Sequence, residues 1–211
     1  MIRVAMVLLC GFFTGQSIAE TIDVEYSRFY SHVKKLDNED TQALQFAFGF
    51  LRVGEGRLCG VNSADIVTDK QTMSLEVSNE GRFTVPTEKA LKLANAIIRI
   101  SLVERANVCD MSVQLETKPE YLKPRYTKDE LTFLYGQYEA FFNEMGSFLS
   151  FLMPTVKGLM IHFEDKDLDY ITPEGVTITN GVLHIEQEWI SEAKGLSLPQ
   201  APLRITAMAS S

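Results

Sequence analysis

The chain has 211 residues, 45% of them hydrophobic and 23% charged, which places it among ordinary folded proteins and excludes disordered and fibrous classes. With 28 acidic against 20 basic side chains it carries a formal charge of −8, and no Lys/Arg cluster offsets that balance. A nucleic-acid binder needs a basic face to displace counterions from phosphates, so nucleic acid is not an expected partner. No catalytic or cofactor motif stands out, and no cofactor is predicted.

The first nineteen residues have the pattern of a secretory signal peptide. Arg3 is followed by an apolar run from Val4 to Phe13 and then by the small-x-small triplet Ser17-Ile18-Ala19, which predicts cleavage after Ala19. The run is about half the roughly 20 apolar residues that a membrane-crossing helix needs, so no span is expected once the leader is removed. Cys10 would leave with it, since Leu9 stands where a lipoprotein signal has a small residue. Of the three cysteines, Cys59 and Cys109 then remain. In an exported chain such a pair predicts one disulfide. The competing reading, a reactive or metal-bound thiol pair, lacks a C-x-x-C context or an adjacent histidine.

In chain order, residues 20–117 form a disulfide-linked β-rich region, in which apolar residues recur with period two from Leu44 to Glu116. Phe46, Phe48 and Phe50 share one face of a strand. Met73, Leu75 and Val77 alternate with polar residues in another. The run Ala96 to Val103 is more apolar and is expected at a more central position. Cys109, Met111, Val113 and Leu115 alternate with Asp110, Ser112, Gln114 and Glu116, which predicts an inward-facing Cys109. Asn79-Glu80-Gly81 reads as a turn.

Residues 118–125 carry Pro119 and Pro124 and read as a linker. The region 126–211 then opens with a long helix. Thr127 and Glu130 have capping-box spacing, Tyr126 and Leu131 that of a hydrophobic staple, and Pro154 closes the segment. Its apolar stripe runs Leu131, Leu134, Tyr135, Tyr138, Phe141, Phe142, Met145, Phe148, Leu149 and Leu152. Gly136 and Gly146 lie off the stripe, where a small residue would admit a close neighbour. Strands follow: Leu159, Ile161 and Phe163 alternate with His162 and Glu164; Val176–Thr179 meets Val182–Ile185 across Asn180-Gly181; and a last strand runs near Leu203 to Ala207. A faint echo between Phe83-Thr84-Val85-Pro86 and Leu196-Ser197-Leu198-Pro199 leaves open one irregular domain or two related β units. The fold class is mainly β with one long helix: antiparallel, sandwich-like units with one disulfide.

Few residues suggest chemistry. His162 with Glu164, and His184 with Glu186 and Glu188, fall on polar strand faces, and a metal-dependent hydrolase would need them to converge. Asp165, Asp167 and Asp169 alternate as in a calcium loop, but Tyr170 stands where the EF-hand needs glycine and Val176 where it needs glutamate. A solvated acidic turn is the simpler reading, with a calcium-stabilised structural protein as the alternative. Ser31-His32-Val33-Lys34 matches S-x-x-K, but neither K-T-G nor S-D-N is present.

The leader, Val24-Glu25-Tyr26-Ser27-Arg28-Phe29-Tyr30, the pair Cys59 and Cys109, and Leu196-Ser197-Leu198-Pro199 before Leu203-Arg204-Ile205 together resemble an uncharacterised family of exported gammaproteobacterial proteins, a domain of unknown function. The resemblance implies a periplasmic location and assigns no catalytic residue. The expectation is a periplasmic binding or interaction protein whose partner is an envelope component, met through an exposed helix face or sheet edge.

Overall fold

The computed structural model describes residues 20–145 and 155–209. The proposed leader, with Cys10, and the end of the predicted helix, including Gly146, Phe148, Leu149, Leu152 and Pro154, lie outside the described residues.

Mostly antiparallel sheets and one long helix make the fold. A four-stranded sheet has the order β1 (Glu20–Glu25), β5 (Ile97–Leu102), β3 (Val61–Val67), β4 (Thr72–Leu75). Strand β1 went unread in the sequence although Ile22 and Val24 alternate with Thr21, Asp23 and Glu25. It pairs along β5, where Asp23 lies opposite Arg99 and their side chains form a two-bonded ion pair of 2.8 and 2.9 Å. β5 sits between two neighbours with Ile98, Ile100 and Leu102 fully buried, as its apolar composition predicted. Helix α1 (Tyr26–Val33) follows β1 directly and turns Tyr26, Phe29 and Val33 into the core, where the Phe29 ring stands edge-on to Phe48. It also carries Ser31 and His32, whose hydroxyl bonds its own helix at Arg28 O and whose ring packs against Phe46 and Phe48. The short α2 (Lys89–Leu93) leads into β5.

Strands β2 (Leu44–Arg52) and β6 (Cys109–Thr117) form a two-stranded ribbon in register from Leu44↔Thr117 to Arg52↔Cys109. Phe46, Phe48 and Phe50 are buried on one face, as predicted. The inward Cys109 is also found, and it closes a disulfide with Cys59 across 50 residues of chain. Met111 and Val113 correct the expectation for this strand. They are 44% and 38% exposed, because β6 is an outer strand of a two-stranded ribbon, hydrogen-bonded to β2 alone.

The segment 118–125 contains a 3₁₀ turn at Pro119–Tyr121 and is bonded to both flanks, Lys118 N–H to Ala43 O and Leu198 N–H to Pro124 O. Strand β7 (Arg125–Thr127) then leads into helix α3 (Lys128–Met145). The capping box forms: Glu130 Oε2 accepts from Thr127 N–H at 2.9 Å, and Thr127 Oγ1 accepts from Glu130 N–H at 3.3 Å. Leu131, Leu134, Tyr135, Tyr138 and Phe141 bury the stripe. Gln137 is buried with them, which the stripe did not predict, accepting Ala43 N–H and donating to Glu39 O. A Cβ at Gly136 would meet nothing within 4 Å, so that glycine does not serve a close approach.

A five-stranded sheet completes the molecule in the order β13 (Arg204–Ala209), β8 (Val156–His162), β11 (Val182–Glu186), β10 (Thr177–Thr179), β9 (Tyr170–Ile171). The Asn180-Gly181 hairpin forms with Ile178 opposite Leu183, and both turn residues take positive φ, 50° and 72°. Only glycine fits the second position, since a Cβ there would lie 2.3 Å from Asp165 O. Glu188 does not continue β11 as expected; it opens helix α4 (Gln187–Glu192). Strand β12 (Gly195–Ser197) pairs with β7. One contiguous apolar core runs from Tyr26 to Ile205 through both halves.

Candidate functional site

The β2–β6 ribbon has a second face, and its residues shrink along the strand: Gln45, Ala47, Gly49. Large phenylalanines on one side and small residues on the other leave room above the ribbon for a large side chain from elsewhere. Arg82 fills that room. A Cβ at Gly49 would press within 3.3 Å of Arg82 Cγ, so the glycine lets the arginine lie flat on the strand. Arg82 is delivered by the predicted turn, where Gly81 N–H bonds Ser78 O and Ser78 N–H bonds Arg82 O. Gly81 has φ 71°, and a Cβ there would stand 3.1 Å from Cys59 O, so this turn is seated against the disulfide-bearing segment.

From the opposite side β13 brings Arg204. Its place is fixed by Tyr138 of α3, whose buried hydroxyl donates to Ile205 O at 2.5 Å and therefore accepts from Thr117 Oγ1 at 3.0 Å. These two anchors are the chain neighbours of Arg204 and Glu116, so one hydroxyl sets the spacing between β13 and the end of β6. The result is a cleft of about 240 Å³ lined by Gln45, Ala47, Glu76, Glu80, Arg82, Glu116 and Arg204 among others.

Its electrostatics are unusual for an acidic chain. Glu80 pairs with Arg204 Nη1, and Gln45 Nε2 donates to Glu116 Oε1 at 3.0 Å. Arg82 Nε and Nη1 and Arg204 Nε are buried and make no hydrogen bond among the described residues. Burial pushes the Arg82 guanidinium below its ordinary range, and Arg204 adds to this, while Glu116 and Glu80 oppose it. Burial likewise raises the Glu116 carboxyl, against its bond from Gln45 and the pull of both arginines. Buried guanidinium nitrogens without a protein partner are costly, so these three donors detract from the stability of the fold. Chemically, the arrangement can bind an anionic group through fixed N–H donors.

The two histidines that a metal-dependent hydrolase would need sit on adjacent strands. His162 on β8 lies opposite Val182, two residues from His184 on β11, so both project from one face of the sheet. His162 is also opposite Arg204 in the β8–β13 register, so the two side chains leave the sheet on the same face, and its Nε2 lies 3.2 Å from Thr206 Oγ1. Burial first, then Arg204 and His184, push its pKa down to about 4, so the ring is neutral at pH 7. His184 and Glu186 are exposed, and Glu164 accepts a long 3.5 Å bond from Asn79. Asp165 Oδ1 accepts Asp167 N–H and Asp169 Oδ1 accepts Asn180 N–H, each at 2.9 Å, so these two carboxylates brace the turn against the β10–β11 hairpin. Among the described residues, the only three potential metal-ligand atoms gathered within 4.8 Å of one another belong to Cys59, Glu104 and Cys109. The two sulfurs of that group are already joined, and Glu104 accepts from Gly60 N–H and Arg57 Nη1.

Sequence reasoning missed Arg82, Arg204, Glu80 and Glu116 as a set. A signal was present in Gln45-Phe46-Ala47-Phe48-Gly49-Phe50, where a strand flanked by phenylalanines carries diminishing residues on its other face and so requires a bulky group to cover it. Nothing in the spacing of residues 82 and 204 says that they meet.

Fold and cleft together define a mostly antiparallel β protein, stapled by a disulfide, that carries a half-buried arginine pair in a small cleft. The chain belongs to a family described as proteins of unknown function, DUF2987, whose profile matches residues 18–163. The match includes Gln45, Glu80, Arg82 and Glu116 and ends before Arg204. No curated protein and no solved structure matches the chain.

Proposed function

We propose that this is an exported binding protein of the bacterial periplasm, whose Arg82–Arg204 cleft takes a ligand or envelope partner through a carboxylate or phosphate group. The observation that carries the reading is the set of three buried guanidinium nitrogens without a protein partner at the cleft. Export is supported by the leader pattern of residues 1–19 and by the disulfide, which fits an oxidising compartment. No helix among the described residues is long and apolar enough to cross a membrane. Binding is favoured over hydrolysis because the best-placed histidine is half-buried, held neutral and engaged with Thr206, outside the cleft lining.

The test is a thermal-shift titration of the mature protein with acetate and with inorganic phosphate at constant ionic strength, using chloride as the control. A ligand at 100 times its Kd stabilises the folded state by about 2.7 kcal/mol, a readily measured shift. At least one of the two anions should raise the midpoint saturably in the wild type and not in Arg82→Met. Equal behaviour of all three anions, or an unchanged response in the variant, would refute the reading. Export is tested separately by N-terminal sequencing of periplasmic material, which should begin at Glu20.

A further inference from the structure

The cleft has a neighbour. Gln45, Glu76 and Thr84, which line it, also line a groove of about 440 Å³ walled by Leu36, Leu44, Phe46, Leu75, Val85 and Pro86. Ser74 of β4 also lines this groove. β4 is the last strand of its four-stranded sheet, with β3 as its neighbour there; two residues past its end, Val77 bridges Phe83, so the open edge is that of β4 itself. The bond from Thr68 N–H to Gln71 O at the β3–β4 turn fixes the parity of that pairing. With Val67↔Thr72, Ile66↔Met73, Asp65↔Ser74 and Ala64↔Leu75 following in register, the bonded pairs are those of Met73 and Leu75. The backbone N–H and C=O of Thr72 and Ser74 therefore point away from β3, and no hydrogen bond outside the sheet takes up those of Ser74 among the described residues.

An open strand edge is a template for one more strand. Here the template borders a partly apolar groove, and the groove shares three wall residues with the cleft of the half-buried arginines. From this juxtaposition we infer that the occupant is the carboxyl-terminal tail of a polypeptide, added as a strand along β4 with its free α-carboxylate between Arg82 and Arg204. The inference rests on the anion-binding reading of the cleft and names its ligand class.

Charge decides between this occupant and other anions. Glu76, Glu80 and Glu116 share the cleft lining with the two arginines, so a dianionic phosphate meets about twice the repulsion from these carboxylates that a singly charged carboxylate does, and the latter still matches the planar guanidinium donors. Beyond the carboxylate a peptide offers neutral amides, which suit the Glu76 wall, and an alternating set of side chains, of which one half faces the apolar groove. The four residues of β4 specify a partner of about four residues, roughly 13 Å when extended.

The experiment uses the full mature protein and a random pool of N-acetylated pentapeptides, made once with free C-termini and once C-amidated, with retained peptides identified by mass spectrometry after ultrafiltration. Free-carboxylate peptides should be retained at least tenfold over amidated ones, and Arg82→Met should abolish the difference. Ser74→Pro removes the outward N–H and leaves the backbone bonds of β4 to β3 in place; it should cut retention tenfold or more, whereas Ser74→Ala, which loses only the side-chain bond to Asp65 Oδ1, should not. In the wild type, bound peptide should slow hydrogen exchange of the Ser74 amide at least tenfold, a readout independent of any variant's folding. Saturable, Arg82-dependent acetate binding without preferential retention of free-carboxylate peptides would overturn the peptide inference and leave the cleft reading standing. Absence of binding by acetate, phosphate and peptides alike would overturn both. Retention without protection of Ser74 would refute the strand-edge geometry.

Discussion

Replacing Arg82 by methionine separates stability from function in opposite directions. The guanidinium lies on Gly49 with Nε and Nη1 buried and unpaired, and its nearest charges include another cation, Arg204. A buried donor without a partner costs about 1–3 kcal/mol, and more when charged. Because the cleft opens to solvent on one side, we take the lower part of that range, about 1–1.5 kcal/mol. Methionine retains much of the aliphatic stem that covers Ala47 and Gly49 and removes the unpaired donors, so Arg82→Met should be more stable than the wild type by that amount. For a chain of this size the gain is roughly 2–6 °C in Tm. Urea denaturation at pH 7, read by tryptophan fluorescence from Trp189 and by circular dichroism, checks the sign without ligand. A loss of 1 kcal/mol or more would show that Arg82 is satisfied in the folded protein and would remove the reason for assigning it to a ligand.

The remaining predictions follow from the same geometry. Tyr138→Phe should lose about 1–3 kcal/mol, since it strands Thr117 and Ile205 O in the core, and it should weaken anion binding by loosening the spacing between Arg204 and Glu116; denaturation and titration together check this. Gly136→Ala should stabilise by about 1 kcal/mol, because the position is helical and a Cβ meets nothing; a loss in Tm would contradict it. His162 has its folded pKa depressed to about 4 from 6.5, so the unfolded chain binds more protons between those values and stability is lost as pH falls from about 6.5 toward 4. The half-buried ring limits that loss to about 1–2 kcal/mol after solvent screening, and His162→Gln should flatten this part of the profile relative to wild type. Removing the disulfide with Cys59→Ala and Cys109→Ala should cost about 4 kcal/mol on loop entropy for a separation of 50 residues, measured by denaturation of the two forms.

Most of the fold was legible where local rules are strong. Thr127 and Glu130 specified a helix start because their bonds are three residues apart, and Asn180-Gly181 specified a hairpin and its register because few residues accept two successive positive φ angles. The faces of β5 and β8 could be read because apolar and polar residues alternate along each, and those of β2 because its phenylalanines all fall on one side. Met111 and Val113 misled for the converse reason: alternation states which residues share a face, and only strand order decides whether another layer covers it. The strand β1 was short and carried just two apolar residues, so its identity depends on pairing with β5, a contact more than 70 residues away.

The cleft was illegible for a related reason. Of its five charged residues, Glu80, Arg82, Glu116 and Arg204 come from a turn after β4, the end of β6 and the start of β13, and what sets the spacing between β6 and β13 is Tyr138, a stripe residue whose hydroxyl the helical pattern does not reveal. The histidines and aspartates that attracted notice in the sequence did so by local spacing. In the fold, Asp165 and Asp169 hold a turn, and His162 lies opposite the arginine that the cleft uses.

The most direct test of the central claim is an NMR titration of acetate, at constant ionic strength, into mature protein labelled with ¹⁵N at arginine. The account predicts that the Nε–H resonances of Arg82 and Arg204 shift together along one saturable curve, while those of the exposed Arg57 and Arg99 stay in place. Shifts that are absent, or spread evenly over all the arginines, would contradict it.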